Sequence, residues 1–261
     1  MVGLSHPLPW VALTMNFTIV RFDSVESTNT EALKHARLGA EEGLGVIARQ
    51  QTAGRGRQGR TWISPMDAGL YLSLVLRPKI EAKFLPLITL AAAVAVHDTL
   101  NEIGIESDIK WPNDILANEK KICGILAETT ETDRGLAVIL GIGVNVSNNS
   151  IPPDLKASAT SIEQGPGRQI ATAELERSLL RQIDVRYSHL NESNGPASVI
   201  DAWAERSTYF RGKDVRVTLT EKSFIGVTDG LDANGALRVK LPNGEVSVIQ
   251  AGDVERLRAS E

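Results

Sequence analysis

Apolar residues recur at every second position in short runs along most of this chain, and at helical spacing in a few longer ones. That pattern predicts strands joined by short turns, with a small number of helices packed on them. Residues 18–23 (TIVRFD) read as a first strand, and Ser27 or Thr28 can cap a helix running to about Leu38. Gly43 and Gly45 bracket a turn into a strand at Val46–Gln50, and Leu70–Leu76 alternates until Pro78. Phe84 to about Ile103 predicts a long apolar helix with Pro86 in its first turn. A short strand at Ile109–Trp111 stops against Pro112. Ile115–Ala117 and Lys121–Glu128 then form two sides of a hairpin around Asn118-Glu119-Lys120. Leu136–Val146 is a further strand, Ser147–Pro153 a polar loop, and Thr172–Leu190 an amphipathic helix. Strands outnumber helices in the middle and several are joined by short turns. The expected class is therefore α+β, a mixed or antiparallel sheet with packed helices, and not a doubly wound parallel fold.

From Arg211 the texture changes. Val215–Leu219, Phe224–Asp229, Ala236–Lys240 and Glu245–Gln250 are short strands punctuated by Gly230, Asn234-Gly235 and Asn243-Gly244. A small five-stranded barrel fits this spacing. The expected division is an N-terminal extension (1–17), a larger domain (18–208) and a C-terminal barrel (209–261).

Composition narrows the function classes. The 42% hydrophobic and 23% charged shares are those of an ordinary globular protein. A net charge of −4 makes the arginine-rich stretch below a local feature, which argues against a general nucleic-acid partner. One cysteine, Cys123, excludes an internal disulfide and reads as a buried strand residue. The four histidines lack zinc-type spacing, so no metal site is expected. Residues 85–96 are too short a run for the ~20 residues of a bilayer span, so no membrane partner is expected. The start, with Pro7 and Pro9, lacks a secretory signal, which leaves a cytoplasmic setting. Met15 is a candidate second start, since the pattern becomes regular only from Thr18.

The chemistry concentrates in Gly54–Trp62, reading GRGRQGRTW, where Arg55, Arg57 and Arg60 alternate with Gly54, Gly56 and Gly59. Guanidinium forks on a glycine-loosened backbone suit a phosphate that must be gripped and released. An RNA-binding RG contact or a solvated loop would read alike, whereas a P-loop is excluded because G-x-x-x-x-G-K-[ST] is absent. Lys110-Trp111-Pro112-Asn113-Asp114, followed by Lys121 and Gly124, places an ammonium seven residues beyond a carboxylate across a hairpin. A surface hairpin with solvated lysines is the plain alternative. Ser27-Thr28-Asn29 is either a helix cap or a polar cradle. Gly141-x-Gly143-x-Asn145 is either a bulge or a place where a flat ligand comes close.

Together these segments resemble the biotin protein ligase family. Ser27-Thr28-Asn29, Gln51 with GRGRQGRTW, KWPND at 110–114, Lys121 with Gly124, and GIGVNV at 141–146 occur in that family's order over about residues 20–258. The resemblance implies a catalytic domain like that of class II aminoacyl-tRNA synthetases with an SH3-like C-terminal barrel. It also implies a two-step reaction in which biotin and ATP, with Mg²⁺, give biotinyl-5′-AMP. A lysine on the biotin carboxyl carrier domain of a biotin-dependent carboxylase then takes the biotinyl group. Carried over, Ser27, Thr28, Asn29 and Gln51 would bind the ureido ring. Arg55, Gly56 and Arg57 would close over biotin and phosphate once ligand arrives, with Gly124 beside them. Arg57 and Lys121 would stabilise the α-phosphoryl transition state. Arg60, Trp62 and Asn145 would serve the nucleotide, and Asp114 would orient the incoming lysine. Only about 17 residues precede the first strand, too few for a DNA-binding domain of ~50 residues, so no repressor role is expected. The rivals are a lipoate or octanoate ligase and a nucleic-acid-binding module.

Overall fold

The computed structural model describes residues 13–165, 170–219 and 222–256. The leading residues 1–12, with Pro7 and Pro9, lie outside the described residues. In chain order the elements are β1 (Thr18–Val25), α1 (Thr28–Arg37), β2 (Leu44–Gln51), β3 (Gly69–Leu76), α2 (Leu87–Glu102), β4 (Asp108–Lys110), β5 (Asp114–Ala117), β6 (Lys120–Thr132), β7 (Gly135–Asn145), α3 (Thr172–Leu190) and α4 (Gly195–Ala204). The C-terminal part adds β8 (Arg211–Thr218), β9 (Ser223–Leu231), β10 (Leu237–Lys240), β11 (Val246–Ile249) and β12 (Asp253–Arg256).

The first sheet runs β1-β2-β3-β7-β6-β5-β4, with β1 and β2 parallel and all other neighbours antiparallel. It is the mixed sheet the pattern predicts. β3 is buried along its whole length because both faces are covered, which explains why it is apolar on both faces apart from Ser73. Strand alternation splits it: Leu70, Leu72, Leu74 and Leu76 join the large core with α2 and α3, while Val75 meets Ala32 and Ala36 of α1. β7 divides the same way. Val138, Leu140, Ile142 and Val144 enter the large core, whereas Ala137 and Ile139 lie under α1. On that second face the next positions are Gly141, Gly143 and Asn145, so the bulk against α1 gives way to open space.

Pro86 stands at the N-cap of α2, after a separate 3-10 turn at Ala82–Phe84, so the continuous helix begins three residues later than expected. The helical stretch Ala82–Glu102 is long and apolar enough to cross a membrane, yet 67% of its most apolar window is buried inside the molecule. A helix apolar all round belongs in a core. α4 is missing from the pattern-based prediction, although Pro196 in its first turn is a start signal. The strand expected at Ile109–Trp111 is Asp108–Lys110, and Trp111 lies in the turn beyond it, joined to Pro112 by a cis peptide.

The C-terminal sheet runs β11-β10-β9-β8-β12, and among the described residues β11 and β12 are its edges, with no ladder closing the expected barrel between them. Its inner residues Val215, Val217, Leu237, Val239, Ile249 and Val254 belong to the same core as α2. Trp111 Nε1 donates to Gly235 O at 3.0 Å and Ser207 Oγ to Ile109 O at 2.5 Å, pinning this sheet beside the KWPND turn. Ahead of β1, Asp184 of α3 accepts from Thr14 N, Thr14 Oγ1 and Met15 N at 2.7–2.8 Å.

Candidate active site

A cleft of about 680 Å³ opens over the α1 face of β6 and β7, where Gly124, Gly141 and Gly143 remove side-chain bulk. All thirteen residues singled out from the sequence line it: Ser27, Thr28 and Asn29; Gln51, Arg55 and Gly56; Arg57, Arg60 and Trp62; Asp114, Lys121, Gly124 and Asn145.

The inner wall is neutral and polar. Thr28 N and Oγ1 donate to Gln51 Oε1 at 2.8 and 3.1 Å, and Gln51 Nε2 donates to Ser64 Oγ at 2.7 Å. Ser73 Oγ lies 2.7 Å from Thr28 Oγ1 and 2.6 Å from Asn29 Oδ1. A carbonyl oxygen only accepts, so the single Ser73 proton goes to Asn29, and the Thr28 hydroxyl proton is shared between Ser73 Oγ and Gln51 Oε1. Ser27 stands at the N-cap of α1, yet its side chain makes no capping bond there. A buried hydroxyl excused from capping is available to a ligand. Asn145, also buried, donates to Thr160 O at 3.0 Å. Packing is tight under this wall: a Cβ built on Gly141 would overlap Asn29 Oδ1, and one on Gly143 the Trp62 indole.

The outer rim is cationic. The GRGRQGRTW segment is itself a hairpin, with Arg55 bridged to Thr61 and Gln51 to Ser64, and bonds from Gly56 N to Arg60 O and Trp62 N to Gly54 O. Its tip is a 3-10 turn at Arg57–Gly59, where Gln58 (φ 55°) and Gly59 (φ 73°) are left-handed. Arg55 Nη2 meets Glu128 Oε2 at 2.7 Å, and Arg60 Nη2 meets both Asp253 oxygens at 2.6 and 2.8 Å. Arg57 is different. Among the described residues it forms no ion pair; its Nη1 donates to Asn113 Oδ1 at 3.1 Å. Burial lowers its pKa below the ordinary arginine value; Asp253 and Asp114 oppose this and Arg60 adds to it. A part-desolvated cation of this kind gains most from an incoming phosphate.

Lys121 reaches the cleft through a break in strand regularity. Positions 121 and 124 are an odd number apart, so an ideal strand would put their side chains on opposite faces. The β5–β6 register shifts between Ile115 and Leu116: Ile115 pairs with Cys123, but Leu116 with Lys121. Ile122 is the extra residue, and both it and Cys123 are buried in the core. This bulge turns Lys121 onto the face of Gly124, where a Cβ on Gly124 would come within 3.2 Å of Lys121 Nζ. Lys121 Nζ is 2.6 Å from Asp114 Oδ1 and 5.4 Å from the Trp62 ring centre. The Asp114 contact is an ion pair without hydrogen-bond alignment, and Asp114 Oδ1 is left buried with no aligned donor. The Trp62 indole nitrogen is likewise buried without a partner. The indole nitrogen is an unmet donor that a ligand can fill, whereas Asp114 Oδ1 already faces the Lys121 ammonium.

Comparison with known proteins places the chain in a family. The model of the Biotin/lipoate A/B protein ligase family matches residues 21–145, and that of the Biotin protein ligase C terminal domain matches 210–257. A biotin–acetyl-CoA-carboxylase ligase of Paracoccus denitrificans is 35% identical, covering 88% of this chain and 96% of that protein. The chain belongs to the biotin protein ligase family. Among other relatives, the bifunctional ligase/repressor BirA of Bacillus subtilis is 38% identical over 91% of this chain and 73% of its own length. The solved biotin protein ligase of Aquifex aeolicus in complex with biotin and ATP has a TM-score of 0.79 at 28% identity, covering 92% of this chain and 99% of that one. The mixed α+β architecture with a C-terminal β domain is that of the family.

Several residues of this ligase site escape sequence reasoning. Ser73, Glu128 and Asp253 each contact a predicted site residue, and Asn113, quoted within KWPND without a role, meets Arg57. Ser73 had a signal, being the polar position in an otherwise apolar strand. Glu128 and Asp253 had none, because each meets its arginine across 73 and 193 positions of chain.

Proposed function

We propose that this chain is an ATP-dependent biotin protein ligase, which forms biotinyl-5′-AMP and passes the biotinyl group to one lysine of a biotin carboxyl carrier domain. The observation that carries the reading is one cleft with a buried, neutral polar wall beside a cationic rim. A ureido ring is neutral and rich in donors and acceptors, so it matches the wall; a carboxylate joining a phosphate matches the rim.

In the first step a biotin carboxylate oxygen attacks the α-phosphorus of ATP, the bond to the bridging oxygen breaks, and pyrophosphate leaves. ATP enters as its Mg²⁺ complex, with the ion carried on phosphate oxygens and water. Arg57 and Lys121 face the charge that gathers on the α-phosphoryl oxygens, where fixed cations lower the barrier most. Arg60, Trp62 and Asn145 serve the nucleotide and pyrophosphate. Arg55 and Gly56 close over biotin, and Gly124 leaves room for the chain of biotin beside Lys121. In the second step the carrier lysine amine attacks the biotinyl carbonyl, the acyl–phosphate bond breaks, and AMP leaves. Asp114, whose Oδ1 holds Lys121 Nζ at 2.6 Å on the cleft wall, is assigned to orient the amine N–H. We read 18–208 as the catalytic domain after an N-terminal extension, and 209–261 as a barrel of the SH3-like kind whose ladder, among the described residues, is not closed between β11 and β12.

The test is to incubate the full chain with MgATP, biotin and a carrier domain, then measure intact and peptide masses. One biotinylated lysine is expected. An unmodified carrier, despite biotin binding by calorimetry, would overturn the assignment.

A further inference from the structure

Glu128 lies outside the predicted site, yet one of its oxygens joins the two halves of the cleft. Oε2 accepts from Asn29 Nδ2 at 2.8 Å and from Arg55 Nη2 at 2.7 Å. Asn29 is buried at 4% exposure in the polar wall, whereas Arg55 sits on the arginine hairpin. We propose that Glu128 is the positioning residue that couples recognition of the ureido head to closure of that hairpin, an inference that rests on the ligase reading above.

The coupling follows from hydrogen-bond accounting. An ionised carboxylate only accepts, so the Asn29 amide must turn its NH₂ toward Glu128. The second Nδ2 proton goes to Leu126 O at 3.3 Å, and Oδ1 takes the Ser73 proton. Asn29 then has one acceptor lone pair left, which suits a ureido N–H. Without the carboxylate only the longer bond to Leu126 O, at 3.3 Å, favours that orientation, and a half-turn of the amide presents donors instead. The same oxygen holds Arg55, and the hairpin spans an open cavity of about 470 Å³ that Leu126 and Glu128 help to line. The Arg55–Glu128 pair crosses that gap. The hairpin's position and the orientation of Asn29 therefore share one anchor, and Glu128 reaches it because it is two residues beyond Leu126, on the Gly124 face of β6.

The test is a pair of double-mutant cycles. Release of pre-formed biotinyl-5′-AMP is followed by chase, and biotin affinity without ATP by calorimetry. Glu128→Gln is expected to speed release and weaken biotin binding about tenfold each, the size of one lost charge-assisted hydrogen bond. On an Arg55→Ala background it should change release no further, and on an Asn29→Ala background it should change biotin affinity no further. A merely structural residue would multiply with both. Glu128→Asp, which draws the charge back by one methylene, should behave like Glu128→Gln. Wild-type behaviour of Glu128→Gln, or multiplicative effects on both backgrounds, overturns the coupling. A wild-type chain that binds no biotin overturns the ligase reading itself.

Discussion

Gly141→Ala is the sharpest probe of the polar wall. The new Cβ would overlap Asn29 Oδ1 and lie 2.8 Å from its Cγ and 3.0 Å from its Nδ2. Neither partner yields easily. Gly141 sits mid-sheet, paired with Ser73 on one side and Leu126 on the other. Asn29 is held by Ser73 at 2.6 Å, Glu128 at 2.8 Å and Leu126 O at 3.3 Å. Overpacking of this kind costs about 1–3 kcal/mol of stability. Expelling the Asn29 amide also removes its bond to the ligand, and leaves ligand groups unpaired in a dry site at about 2–3 kcal/mol, or roughly 30- to 150-fold in affinity. The assay is biotin titration by calorimetry, with unfolding midpoints recorded in parallel. Gly124→Ala is the comparison: its Cβ meets Trp62 Cζ3 at 2.9 Å and the flexible end of Lys121 at 3.1 Å, both outside the polar wall. It should leave the ureido contacts in place and disturb catalysis more than biotin affinity. Wild-type biotin affinity in folded Gly141→Ala would refute the assignment of Asn29 to the ligand.

Lys121→Ala should slow biotinyl-5′-AMP formation in single turnover by about 10²- to 10³-fold while the fold persists, because one fixed cation is removed. A near wild-type rate would remove Lys121 from the mechanism. Ser27→Ala should raise the KM for biotin about tenfold through a lost buried hydrogen bond, with the urea midpoint unchanged since Ser27 caps nothing; an unchanged KM would undercut it. His97 tests linkage away from the cleft. It is buried, with Nε2 2.9 Å from Asn101 Nδ2 and Nδ1 3.0 Å from Ser107 Oγ, and burial lowers its pKa from the ordinary 6.5. The unfolded chain then takes up this proton more readily than the folded one. The stability linked to neutral His97 is full above 6.5 and falls as the pH drops through the lower folded value. His97→Gln should flatten that part of the urea midpoint's decline toward acid, and an identical slope in the variant would contradict this.

Local signals carried most of the architecture. The alternation in Leu70–Leu76 and the turn before Lys120 depend on neighbouring residues, and both are legible. Asn118 and Glu119, with φ of 50° and 61°, form a two-residue turn of the kind hairpins favour. The bulge at Ile122 was not legible, because it trades register against a partner strand, and without it Lys121 would face away from Gly124. The partners of the arginines were hidden for a similar reason: Asp253 reaches Arg60 only because the C-terminal sheet docks through Trp111 and Gly235. Nor did any pattern assign a role to Thr14 and Met15, yet their backbone amides satisfy the buried Asp184 carboxylate.

The central claim is that the polar wall and the cationic rim together join a carboxylate to the α-phosphate of ATP. Exchange of labelled pyrophosphate into ATP measures that step alone, without a carrier. The account predicts exchange that requires biotin, ignores lipoate and octanoate, and disappears in Lys121→Ala. Exchange driven by lipoate, or none at all from a folded chain that binds biotin, would contradict it.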